Sequence, residues 1–206
     1  MDAQVFWRVI GEYNSATWSV QIALLVLLII AVLISYKTSI RFAASFVLGI
    51  LHLFIGIVFF GIFGTEPIQK YFALPLFLSC GILFLYEATV KRNDILQKPN
   101  RLQILLLVLY ALYPICSYFL GHQFPQIVTY IMPCPVVCLG ISIYSLYPRK
   151  NKALLVLLAV WGLTGVKSIF FNAYEDLILL VCGMYGMFLL AKEVRINKEK
   201  SAKIGC

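Results

Sequence analysis

Charge is scarce between residues 18 and 191, and its placement decides what the chain can fold into. Apolar blocks fall at about residues 18–36, 42–64, 72–90, 102–121, 127–147, 153–171 and 177–191, separated by short charged segments. Each block is near the roughly 20 residues that a helix needs to cross the hydrocarbon core of a bilayer. A water-soluble domain carries about 25% charged residues, whereas this chain has 13%, with 62% hydrophobic. Inside lipid every backbone N–H and C=O must find its partner within the protein, which leaves the helix as the form for such blocks. The sequence therefore predicts an all-α, polytopic membrane protein with seven transmembrane helices. It forms one domain over residues 1–196, because no polar linker is long enough to set off a second, and ends in a charged cytoplasmic tail, 197–206.

Ahead of the first span, residues 1–18 are too polar to cross. Val5, Phe6, Val9, Ile10 and Tyr13 recur at helical spacing, with Asp2, Arg8 and Glu12 off that face. This pattern predicts a short amphipathic helix lying in the membrane interface, with Asn14 or Ser15 capping the next helix. No basic segment leads into an apolar core, so a cleaved signal peptide is not expected.

Basic residues set the orientation. Of the 17 Lys and Arg residues only Arg8, Lys70 and Lys167 fall on the side of the N-terminus; the rest share the opposite side. The positive-inside rule makes that opposite side cytoplasmic, with the N-terminus outside and the C-terminus inside. The same distribution disposes of nucleic acid as a partner: the net charge of +8 is spread over loop ends and the tail, with no basic helix interleaved with aromatics. The partner is the lipid bilayer, in the cytoplasmic (inner) membrane. A small solute or metal ion, and a homo-oligomer, stay open, and no cofactor is specified.

The most unusual stretch is 121–138, Gly-His-Gln-Phe-Pro-Gln-Ile-Val-Thr-Tyr-Ile-Met-Pro-Cys-Pro-Val-Val-Cys. It holds one of two histidines and two of six cysteines, and Pro133 and Pro135 bracket Cys134. Each proline removes a donor and restricts the residue before it, so a kinked or broken fifth span is expected. The orientation gathers the rare polar residues in the outer half, where Asn14, Gln21, His122, Cys134, Lys167, Glu175 and Asp176 make up a candidate pocket. On the inner side only Glu87 is acidic within a span, and it is expected to pair with Lys91 four residues on.

Three chemistries compete there. Cys134 and Cys138 share a helix face and, with His122, form a soft-metal set of thiolate and imidazole ligands. The plain alternative is a proline kink packed with small apolar cysteines. His122, Glu175 and Asp176 combine an imidazole with two carboxylates, the groups for acid–base work on water; here the alternative is that the acidic pair caps the last span, where the helix dipole favours negative charge. Lys167 lies about one turn inside its span, as a functional cation, a snorkelling side chain or a partner of Glu175 or Asp176. His52, at mid-span between Gly49 and Gly56, reads as a packing histidine beside close helix contacts.

Several of these residues also carry a resemblance. Tyr13-Asn14 leading through Trp18 and Gln21, then Tyr113-Pro114, Gly121-His122, Phe124-Pro125, Pro133-Cys134-Pro135, Trp161-Gly162 and Glu175-Asp176 occur in that order. The chain resembles a bacterial family of small seven-helix integral membrane proteins known only as a domain of unknown function. It departs from that family in having Val136, Val137 and Cys138 where Thr-rich residues are expected after Pro-Cys-Pro. The resemblance implies the fold and the location of the site, and no activity. Three functions follow: binding or transport of a small solute or soft metal ion through the broken helix, an intramembrane hydrolase acting on a lipid or small amphiphile, or a structural or accessory subunit.

Overall fold

The computed structural model describes residues 3–37, 40–90 and 94–204, with side chains through 195. Among the described residues all regular structure is helical. Helix α1 spans Ala3–Lys37 and α2 spans Ala43–Phe54, continuing in π-helical turns over Ile55–Phe63. A second π-helical stretch, Gln69–Ala73, leads into α3, Leu74–Val90. Helix α4 is Arg101–Phe119 and α5 is Pro133–Tyr144. Helix α6, Lys152–Leu163, tightens into a 3-10 stretch, Thr164–Lys167, and then the short α7, Ser168–Phe171. A 3-10 turn, Tyr174–Asp176, opens α8, Leu177–Ile204.

Six tracts are long and apolar enough to cross a membrane: Ala3–Lys37, Ala43–Phe63, Gln69–Val90, Arg101–Phe119, Lys152–Phe171 and Tyr174–Arg195. The fifth expected span, 127–147, is helical only over Pro133–Tyr144. Helix α5 has 12 residues, about 18 Å at 1.5 Å per residue, too short for a hydrocarbon core of about 30 Å. Its two prolines do not kink it. Met132 is extended at φ −129° and ψ 163°, Pro133 follows as the first helical residue, and Pro135 sits in the same turn. A first turn has no use for its N–H groups within the helix, so proline is well placed to begin one.

The N-terminal region also differs from expectation. The short interfacial helix and the first span are one continuous α1 of 35 residues, about 50 Å long, and neither Asn14 nor Ser15 caps anything. Trp7, Val9, Ile10, Tyr13, Asn14, Thr17 and Gln21 are buried. The face that looks made for a membrane surface is instead packed against protein. At the other end α8 runs on to Ile204, past the point where the tail 197–206 was expected to begin. Cys206 lies outside the described residues, as do the side chains of that tail.

At the end of the bundle that carries Arg149 and Lys150, buried polar groups tie the helices together. Lys91 lies outside the described residues; Glu87 accepts from Tyr144 Oη at 2.7 Å and from Asn151 Nδ2 at 3.2 Å. Gln103 closes a capping box with Asn100 at the start of α4 and donates to Ser145 Oγ at 3.0 Å. Arg149 Nε donates to Asp94 Oδ2 at 3.0 Å, and that bond and charge raise the guanidinium pKa. That end of the bundle therefore holds Asp94 as well as Glu87. His52 is buried, with Nδ1 2.8 Å from the Leu48 carbonyl and its ring near Phe77 and Phe84.

Glycines set the closest helix contacts. A Cβ on Gly49 would lie 3.1 Å from the Gly81 carbonyl oxygen, where α2 meets α3. Between α6 and α8 the approach is tighter still: a Cβ on Gly162 would lie 2.4 Å from Gly183 Cα. Such contacts let backbones meet without side chains between them. Gly183→Ala is expected to cost about 1–3 kcal/mol, the usual range for overpacking, in thermal or denaturant unfolding of the detergent-solubilised protein. Gly186→Ala, whose Cβ would meet Ala159 Cβ at an ordinary 3.4 Å, is the control and should change stability by under about 1 kcal/mol.

Candidate functional site

After α4 the chain turns at Gly121, whose φ of +96° suits a residue without Cβ. It then runs without regular helix to Met132 while burying Val128, Ile131 and Met132. Backbone groups in such a stretch have no helical partners, and leaving them bare in an apolar setting would cost a full desolvation penalty each. Side chains of α1 and α4 supply the partners. Asn14 Nδ2 donates to the carbonyls of Pro125 at 2.7 Å and Ile127 at 2.8 Å. Tyr13 Oη donates to the Ile131 carbonyl at 2.6 Å, and Ser117 Oγ accepts from Val128 N at 3.1 Å. Gln21 Nε2 reaches Asn14 Oδ1 at 3.1 Å and Thr17 Oγ1 at 2.9 Å, while Gln21 Oε1 accepts from Thr129 Oγ1 at 2.6 Å. Asn14, Thr17 and Gln21 thus form one polar stripe on α1 whose task is to hold residues 125–131.

That segment delivers Cys134 to the head of α5, opposite the turn that precedes α8. Cys134 Sγ donates to Asp176 Oδ2 at 3.2 Å, and Tyr113 Oη donates to Asp176 Oδ1 at 3.3 Å. Beside it Glu175 is only 2% exposed and accepts from Ser117 Oγ at 2.7 Å, while its Oε2 has no partner. Both carboxylates sit in the turn that opens α8; Glu175 bonds to α4, and Asp176 to α4 and α5. Cys138, buried one turn further along α5, lies 3.7 Å from Tyr113 Oη.

Cys134 and Asp176 open onto a cavity of about 280 Å³. Its walls are apolar, from Phe6 and Ile10 of α1, Phe59 and Phe60 of the first π-helical stretch, and Phe72 of the second. Lys167, Ser168 and Trp161 also line it. Ser168 is 2% exposed and its hydroxyl has no partner; the indole N–H of Trp161 is also buried and has only the Cys134 sulfur beside it.

The expected pocket therefore divides. Cys134, Lys167 and Asp176 line the cavity, Glu175 lies behind it, and Asn14 and Gln21 serve the scaffold. His122 goes elsewhere. Its ring stacks on Trp7 at 3.6 Å between centroids, and Trp7 in turn donates to the Phe171 carbonyl at 3.1 Å. No hydrogen bond joins His122 to Glu175 or Asp176, because the stack holds it against α1. Among the described residues no three His, Cys, Asp or Glu side chains gather as a metal-ion site, so His122, Cys134 and Cys138 do not form the expected set. Lys167 is exposed and pairs with neither Glu175 nor Asp176.

Sequence reasoning passed over Thr17, Ser117, Thr129 and Ser168 as site or scaffold residues, and singled out Tyr113 and Trp161 only through the family resemblance. One signal was present: Tyr113 and Ser117 stand four apart on α4, and one face of that helix meets both carboxylates.

Fold and site define a class, the all-helical, multi-pass membrane protein in which one apolar helix is preceded by an irregular, partly buried stretch. The chain belongs to a family of unknown function, DUF6064, whose family model matches residues 3–201. No curated protein and no solved structure matches it.

Asn14→Ala strips the donor from two carbonyls at once. At about 1–3 kcal/mol for each buried group left bare, it should lower the unfolding temperature and expose the 121–132 segment to limited proteolysis. Asn14→Asp, which offers only acceptors to those carbonyls, should be at least as damaging. Wild-type stability in both would show that the segment is held by something else.

Proposed function

We propose that this protein binds a small amphiphile in the cavity beside Cys134 and Asp176, drawn from the outer leaflet of a bacterial cytoplasmic membrane. The observation that carries the reading is a pair of buried donors, Ser168 Oγ without a partner and Trp161 Nε1 with only the Cys134 sulfur beside it, on the wall of an otherwise apolar cavity. A hydrogen-bond acceptor on a ligand would recover the cost of leaving them bare, while the aromatic walls take its apolar body. Sites of this kind, apolar with a few convergent polar groups, are the usual form for small-molecule binding, and about 280 Å³ lies just below the common range of about 300–1,000 Å³. Lys167 at the cavity adds a cation for an acidic head. Binding is favoured over passage because α5 beyond Cys134 is buried along its whole length. A soft-metal site and a His122-centred hydrolase have no supporting geometry.

A brominated decanoic acid added to the protein in nanodiscs should quench tryptophan fluorescence saturably. Ala73→Phe, which places a ring in the cavity, should weaken that binding by about tenfold, or about 1.4 kcal/mol. Quenching that only tracks the bulk concentration of bromine in lipid, and is unaltered by the substitution, would remove the reading.

Orientation belongs to the same proposal: the basic-residue asymmetry puts the cavity outside and the C-terminus in the cytoplasm. A green fluorescent protein fused after Cys206 should fluoresce in bacterial cells, and alkaline phosphatase fused there should be inactive. The reverse pattern would invert the topology.

A further inference from the structure

We propose that Cys134 is an acyl-accepting nucleophile acting on an activated ester of a short or medium acyl chain, with Asp176 taking and returning its proton. This rests on the amphiphile-binding reading and gives the ligand a chemistry. The thiol and carboxylate are already in the required relation: Sγ donates to Oδ2 at 3.2 Å. Tyr113, donating to Oδ1 at 3.3 Å, occupies the other oxygen and leaves Oδ2 for the thiol; it is a positioning residue.

Three further features point to a carbonyl as the electrophile. Cys134 is the second residue of a 12-residue helix whose neighbours on both sides are prolines. Its own N–H is thus the donor that remains at the head of α5, where the helix dipole favours negative charge. Ser168 Oγ, buried and unpartnered, and Trp161 Nε1, which faces the Cys134 sulfur, line the same cavity. Donors around a nucleophile are what a developing oxyanion needs, and each is worth most where water is excluded. Opposite them the ring walls of Phe59, Phe60 and Phe72 suit an acyl chain.

The step balances without a further reactant. As Sγ bonds to the acyl carbon, its proton passes to Asp176 Oδ2 and the carbonyl π pair moves to oxygen. The oxyanion collapses, the acyl–oxygen bond of the ester breaks, and the departing alkoxide takes the proton from Asp176. The products are an S-acyl cysteine and an alcohol. Water or a second hydroxyl compound then attacks the thioester in the same manner, giving its proton to Asp176, which returns it to Sγ.

The test uses the full chain in phosphatidylcholine nanodiscs with p-nitrophenyl octanoate. The expected result is a burst of p-nitrophenolate, and intact mass showing one octanoyl group per chain, mapped to Cys134. Cys134→Ala should take up none. Asp176→Asn should slow the burst by about 10²-fold or more, the usual yield of a positioned acid–base group. Ser168→Ala loses only a hydroxyl, so it decides the matter if the Asp176 variant does not fold: it should acylate more slowly, and an unchanged rate overturns the proposal. Saturable quenching with no octanoyl group on Cys134 overturns acyl transfer and leaves binding standing. Labelling at other residues, unaffected by Cys134→Ala, overturns it as well. Absence of both quenching and labelling removes the two readings together.

Discussion

An irregular stretch of backbone buried among apolar helices has to be given hydrogen-bond partners, and most of what is distinctive here answers that demand. Residues 121–132 stand where the fifth expected helix would begin, exposed over 123–126 and burying Val128, Ile131 and Met132. Their carbonyls and amides are met by Tyr13 and Asn14 of α1 and Ser117 of α4, with Gln21 holding Thr129. Irregular backbone at membrane depth is tolerated where protein rather than lipid surrounds it. The unusual length of α1 follows from this. A helix that stopped at the first span would carry neither Tyr13 nor Asn14 to the segment, and the polar residues of its first half would be a cost without a return.

The arrangement has a consequence for chemistry. By starting α5 at Pro133 instead of running a helix through it, the chain turns a mid-span position into a helix N-terminus. Cys134 then sits where a helix presents N–H groups and positive potential, with two of those N–H groups removed by proline. The same stretch joins the scaffold to the site through Ser117, which holds Val128 N with one side of its hydroxyl and Glu175 with the other. A change in the segment therefore reaches the acidic turn through one side chain.

How much of this could be read beforehand depends on the kind of signal. The positions of the apolar blocks fix the helices, because lipid leaves the chain so few alternatives. Residue type alone identified Cys134, Lys167 and Asp176 as worth attention, since each is expensive or rare in an apolar setting, and all three line the cavity. The failures share a cause. Pro-Cys-Pro was expected to kink or break the fifth span; the span is interrupted there, but by a helix that begins at Pro133, a start that the prolines alone did not single out. The early residues of α1 satisfy an amphipathic pattern whether they face a headgroup layer or a protein segment, and periodicity carries no label for the partner. His122 was grouped with Glu175 and Asp176 by depth. Depth says nothing of position around the bundle, and the Trp7 ring settles that.

The geometry of the site rests on a contact remote from any polar group. Gly162 meets Gly183 backbone to backbone, and a Cβ on Gly165 would lie 2.7 Å from both the Asp176 carbonyl oxygen and Leu180 N. The 3-10 stretch Thr164–Lys167 is therefore seated directly on the acidic turn, which places Lys167, Ser168 and Asp176 around one cavity. Across that cavity the wall is of another kind. The stretches Ile55–Phe63 and Gln69–Ala73 are wound as π-helix, with i→i+5 hydrogen bonds. Packed interiors resist gradual deformation, so the glycine seam fixes Lys167, Ser168 and Asp176 relative to one another. The facing wall is made of rings with few polar atoms. The acyl transfer proposed above would use both: the seam to hold the carboxylate in place for the thiol, the rings to receive the acyl chain.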